Sequence, residues 1–158
     1  MQGPTQGLGE LDDLYRDIIL DHFRSPRNAE PLDDPAVEIE ADNPFCGDEL
    51  RLQLNADAGR VAEVSVSGRG CSISQSSGSL MAEMVEGKTV AELRRLYGLF
   101  RGLMTGEDLS EDQLDALEDS LALQGVRRYP VRIKCALLAW SALADALDQL
   151  EADGGASA

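Results

Sequence analysis

The stretch Leu50-Arg51-Leu52-Gln53-Leu54-Asn55-Ala56-Asp57-Ala58-Gly59-Arg60-Val61-Ala62-Glu63-Val64-Ser65-Val66 decides the fold class of this chain. Leucines alternate with polar residues over 50–54, and Ala62, Val64 and Val66 alternate in the second half. Each half therefore presents one apolar face, as a half-buried strand does. Asn55-Ala56-Asp57-Ala58-Gly59 between them has the composition of a hairpin loop. Upstream, Val37-Glu38-Ile39-Glu40 supplies a third strand candidate, and the three form an antiparallel meander with one face to be covered. Further upstream, Leu11, Leu14, Tyr15, Ile18, Ile19 and Phe23 recur at helical spacing from about Glu10 until Pro26 ends the helix. Downstream, helices are expected from about Ser74 to Glu86 and from Thr89 to about Met104. Ser110-Glu111-Asp112-Gln113 matches a capping box opening another, to about Leu123. The last helix, about Val131 to Leu150, carries Ile133, Leu137, Trp140, Ala144 and Leu147 as its apolar stripe. Strands followed by helices indicate an α+β fold, a small three-stranded antiparallel sheet with helices packed on one side. Residues 10–150 form the single domain, and 1–9 and 151–158 are expected to be disordered tails.

Composition narrows the function. A chain of 158 residues, 43% apolar and 4% aromatic, suits one soluble domain with an aliphatic core. The formal charge of -15 repels phosphate backbones and anionic lipid, so nucleic acid is excluded as a partner. No leader-like apolar segment and no membrane-length apolar run is present, so a cytoplasmic protein without membrane contact is expected. In a reducing cytosol three cysteines do not read as a disulfide framework.

All three cysteines fall at turns or element ends: Cys46 in Asn43-Pro44-Phe45-Cys46-Gly47-Asp48, Cys71 in Gly68-Arg69-Gly70-Cys71-Ser72-Ile73, and Cys135 in the first turn of the last helix. The glycines around Cys71 let the chain bend tightly, and a helix start there would put partial positive charge near the sulfur. Cysteines used only as small hydrophobes belong inside periodic apolar stretches. The residues alone leave open a shared metal site, inert thiols, or a catalytic thiol without metal. Three thiolates with the carboxylate of Asp48 would make a sensible tetrahedral zinc site. Arg132, a turn before Cys135, and Lys134 beside it could offset its excess negative charge, or simply form a solvated helix start. A cysteine hydrolase would need a histidine base, and the single histidine, His22, lies near a helix C-terminus where capping or packing is the ordinary role.

Four ordered motifs carry a resemblance: Leu14-Tyr15-Arg16-Asp17-Ile18-Ile19-Leu20-Asp21-His22-Phe23-Arg24-Ser25-Pro26-Arg27-Asn28, then Asn43 to Asp48, Gly70-Cys71-Ser72-Ile73-Ser74, and Arg132-Ile133-Lys134-Cys135-Ala136-Leu137-Leu138-Ala139-Trp140. From about Leu11 to Leu147 the chain resembles the IscU/SufU (NifU N-terminal-like) proteins of iron-sulfur cluster assembly, with the SufE/NifU-like fold that this implies. Lys134 stands where IscU-type scaffolds have a histidine, and they lack most of the long segment that here includes Lys88 to Gly125. Both features are similar to the SufU branch. Glu30, Gln75 and Gly78 depart from the family pattern without touching a proposed ligand. The resemblance implies zinc on Cys46, Asp48, Cys71 and Cys135, with a transient iron-sulfur cluster as the alternative. It implies sulfurtransfer from a PLP-dependent SufS-type cysteine desulfurase, Cys46 as sulfur acceptor and Arg132 neutralising or orienting the site. A partner side chain would take the place of Cys46 on zinc, and downstream assembly components would receive the sulfur. An IscU-like scaffold on which a cluster is assembled is the alternative function, and a purely structural zinc protein a third, opposed by the carboxylate ligand.

Overall fold

The computed structural model describes residues 3–44 and 47–152, with side chains from residue 13 onward apart from that gap. Helix α1, Gly3–Arg24, precedes strands β1, Val37–Asn43, β2, Asp48–Asp57, and β3, Arg60–Arg69. Helices α2, Ser72–Val85, α3, Val90–Met104, and α4, Glu111–Ala116, a 3₁₀ segment, Glu118–Arg128, and α5, Pro130–Ala152, complete it. The sheet has the order β1-β2-β3, antiparallel throughout, with the helices packed against it, as the sequence led us to expect.

Several boundaries differ from the sequence reading, each for an identifiable reason. Helix α1 runs back to Gly3, through residues expected to be disordered. Extending a nucleated helix is cheap, and Pro4 falls in the first turn, where the amides have no intrahelical partner to lose. Residues 153–158 lie outside the described residues, while 151 and 152 continue α5. The helix expected to run to Leu123 stops at Ala116, because Glu118 takes a left-handed φ of 50° and turns the chain into the 3₁₀ segment. That turn leaves both Leu117 and Leu123 fully buried. In β3 the inward apolar residue is Val61, not Ala62. Asn55 pairs with Glu63 but Ala56 pairs with Val61, so a bulge takes Ala62 out of register and leaves it exposed.

The inner sheet face, with Leu52, Leu54, Val64 and Val66, packs against α2 and α5. The buried face of α5 centres on Ala136, Ala139, Trp140, Leu143 and Leu147, while Ile133, Leu137 and Ala144 of the expected stripe are only half-buried. Sheet, α2, α3 and the 3₁₀ segment all contact α5, so small residues let neighbours approach it on several sides. Phe100 of α3 stacks on Trp140 with ring centroids 5.0 Å apart. The free edge of β3 is covered by the turn after α1, where the Val66 amide donates to the Asn28 carbonyl at 2.8 Å. No described helix is long and apolar enough to cross a membrane.

Candidate metal centre

Three elements converge at one end of the sheet. Asn43 closes β1 and pairs directly with Asp48, the first residue of β2. A 2.9 Å bond from the Gly47 amide to the Asn43 carbonyl ties the two strand ends together, with Gly47 at φ +69°. The strand alternation that points Leu50 and Leu52 into the core also points Asp48 inward, where it is fully buried. Its Oδ1 accepts the Cys71 backbone amide at 2.8 Å, and its Oδ2 lies 3.8 Å from Cys71 Sγ. Gly70 makes this approach possible. A Cβ there would lie 2.1 Å from Asp48 Oδ1, and the residue has φ +150°. Cys71 is the N-cap of α2 but makes no side-chain cap hydrogen bond, so its sulfur faces the carboxylate instead of the helix amides.

Cys135 arrives from α5. The helix begins at Pro130, so this cysteine sits in the second turn, fully buried. Its thiol donates to the Val131 carbonyl at 3.9 Å, and its sulfur accepts from Asn43 Nδ2 at 3.8 Å. One ligand atom from each of Asp48, Cys71 and Cys135 lies within 4.8 Å of the other two. Around a tetrahedral zinc, with bonds of roughly 2.3 Å to sulfur and 2.0 Å to oxygen, such atoms stand about 3.5–3.8 Å apart. Two soft sulfurs and a hard oxygen, with Asp48 Oδ2 already 3.8 Å from Cys71 Sγ, suit one zinc ion with a fourth position to fill. Cys46 lies outside the described residues, between the exposed Pro44 and Gly47.

Other expected residues fall as follows. Arg132 is exposed, and its guanidinium forms no ion pair or hydrogen bond among the described residues; Lys134 is exposed too. With Arg127 and Arg128 they make a basic stretch, and Tyr129 and Val131 between them are exposed apolar residues. The whole-chain charge conceals this local excess. His22 is buried away from the centre and serves packing. Its Nδ1 is 2.8 Å from Ser79 Oγ, which also accepts the Arg27 amide at 2.8 Å, and its Nε2 is 3.7 Å from Glu83. Burial, followed by the charge of Arg27, holds the His22 pKa below its ordinary 6.5. Sequence reasoning missed Asn43 and Gly70 as site residues; their places at the two turn ends flanking Asp48 and Cys71 were the available signal.

Fold and cluster define a small α+β domain with an Asp48, Cys71 and Cys135 group that could hold a metal ion at the sheet end. Residues 14–154 match the NifU-like N terminal domain, and the chain belongs to that family. It is 42% identical over 133 residues to a Bacillus subtilis protein named zinc-dependent sulfurtransferase SufU, covering 84% of this chain and 88% of that one. It is 36% identical over 137 residues to a Thermotoga maritima protein named iron-sulfur cluster assembly scaffold protein IscU, covering 87% and 94%. Its fold matches the crystal structure of the N-terminal part of a nitrogen-fixing NifU-like protein from Brucella abortus with a TM-score of 0.79, at 26% identity, over 89% of this chain and 96% of that one.

Proposed function

We propose that this protein is a zinc-dependent sulfur acceptor of iron-sulfur cluster assembly, taking sulfane sulfur from the persulfide of a PLP-dependent, SufS-type cysteine desulfurase. The observation that carries the reading is the Asp48, Cys71 and Cys135 cluster, in a chain 42% identical to a protein named as a zinc-dependent sulfurtransferase. Cys71, Cys135 and Asp48 Oδ2 would hold the zinc with Cys46 as fourth ligand. Bound there, the metal would keep the thiols deprotonated at neutral pH.

The chain's own residues do the rest. Asp48 Oδ1 is committed to the Cys71 amide, which fixes the carboxylate and leaves Oδ2 for the metal. Cys46 of the Asn43 to Asp48 motif acts as the nucleophile. Its thiolate attacks the outer sulfur of the donor persulfide; a sulfur–sulfur bond forms on Cys46, the donor's sulfur–sulfur bond breaks, and the donor cysteine leaves as a thiolate. The exchange is redox-neutral, which suits a metal with no redox chemistry of its own. Arg132 on the exposed start of α5 offsets the negative charge gathered there, and the basic stretch around it would receive an acidic donor surface.

The scaffold reading draws on the match to the protein named as an IscU scaffold. Lys134 in place of the histidine of IscU-type scaffolds, and the segment from Lys88 to Gly125, favour sulfurtransfer. That segment folds as α3, α4 and most of the 3₁₀ stretch. Metal analysis of anaerobically purified protein, with a desulfurase assay of wild type and Cys46→Ala, tests the proposal. One zinc per chain, and turnover stimulation abolished by Cys46→Ala, is the expected result. Bound iron and sulfide, or full stimulation by Cys46→Ala, would overturn it.

A further inference from the structure

We infer that Asn43 is a positioning residue that makes Cys135 a reserved, weakly reactive thiolate of the centre, by donating its side-chain amide to the sulfur. The inference rests on the metal-centre reading above. Asn43 is only 6% exposed and Cys135 is fully buried, so their 3.8 Å contact has little competition from water. The main chain that carries this side chain is held in place: Asn43 pairs in register with Asp48, and its backbone carbonyl accepts the Gly47 amide.

Cys71 is placed differently. It is part-exposed, and among the described residues the side-chain group facing its sulfur is the Asp48 carboxylate, an acceptor when ionised. An N–H aimed at an anionic sulfur is a charge-assisted hydrogen bond, roughly twice as strong as a neutral one. It stabilises the charge that nucleophilic attack must spend, so the bonded thiolate reacts more slowly. Two thiolates on one metal are thereby made unequal, and the buried one is kept as a holding ligand.

Two measurements test this. The first uses wild-type protein loaded with cadmium-113. A side-chain amide proton of Asn43 should move downfield and show scalar coupling to the metal through the N–H···S bond. The second compares iodoacetamide labelling of zinc-loaded wild type and Asn43→Asp, which keeps the shape and removes the donor, with each cysteine scored by mass spectrometry. Cys135 should label far more slowly than Cys71 in wild type, and that gap should shrink several-fold in the variant. A cadmium spectrum in which the Asn43 amide protons are unshifted and uncoupled overturns the inference, whether or not the variant folds. So does a folded, zinc-loaded variant with an unchanged labelling ratio. A cadmium shift showing no sulfur ligation would instead remove the metal-centre reading itself, and this inference with it.

Discussion

Adding one methyl group at Gly70 should dismantle the centre while the hydrophobic core stays intact. The new Cβ would lie 2.1 Å from Asp48 Oδ1 and 2.9 Å from Asp48 Cα, so the carboxylate or its strand must move. Displacing Oδ1 breaks its 2.8 Å bond to the Cys71 amide, a hydrogen bond to a charged group worth about 1.5–3 kcal/mol. An alanine held at φ +150° adds strain of about 1–3 kcal/mol. Together Gly70→Ala should lose about 2.5–6 kcal/mol, a large part of the roughly 5–15 kcal/mol typical of a domain. Gly87→Ala is the matched control: φ is +84° and nothing lies within 4 Å of its Cβ, so it carries the strain without the collision. The assay is urea unfolding in the presence of a chelator, then zinc affinity by chelator competition. Gly70→Ala should lower both the unfolding midpoint and zinc affinity, and Gly87→Ala only the midpoint, by less. If Gly70→Ala binds zinc as tightly as Gly87→Ala, Asp48 is not pinned as argued.

Three further outcomes are expected. The unfolded chain protonates His22 near 6.5, whereas the folded chain resists protonation, so the contribution of this group is present above that pH and lost as pH falls through and below it. Arg27, Glu83, Asp21 and Asp119 set its local field, and His22→Gln should flatten the fall in urea midpoint between about pH 7 and 5.5, whereas equal slopes in both proteins would rule this out. Phe100→Ala removes the stack on Trp140 and should cost about 3–5 kcal/mol; an unchanged midpoint and unchanged tryptophan emission would contradict it. Gly78→Ala puts a Cβ 2.9 Å from Val66 Cγ1 and should cost about 1–3 kcal/mol in thermal or urea unfolding by forcing α2 off the sheet, with no loss if the helix can slide.

The sheet was legible because Leu50, Leu52 and Leu54 alternate without interruption, and a two-residue period admits few other structures. The bulge at Ala62 was not, since Val61 and Ala62 are both apolar and only pairing with β2 decides which turns inward. Helix α2 shows another limit. Its serine-rich start reads as polar, yet Ser74, Ser76, Ser77 and Ser79 are buried. Ser77 Oγ donates to the Ala136 carbonyl at 2.6 Å, and Ser79 serves His22 and Arg27, so small hydroxyls act as close-packing joints between helices. Two cysteines and Asp48 of the proposed ligand set were legible from their turns and are brought together. Asn43 was not, because its turn-end place signals only a turn and its contact with Cys135 spans 92 residues.

That long separation also sets an order of events. Cys71 and Cys135 stand 64 residues apart. A chain made from its N-terminus at about 5–20 residues per second presents the meander and α2 several seconds before α5 exists. During that interval Cys46, Asp48 and Cys71 of the proposed ligand set are already made, but a tetrahedral site still lacks its fourth donor. Closure of the proposed site would therefore wait for the last helix to dock, so a fully coordinated metal would report that α5 has been made and packed.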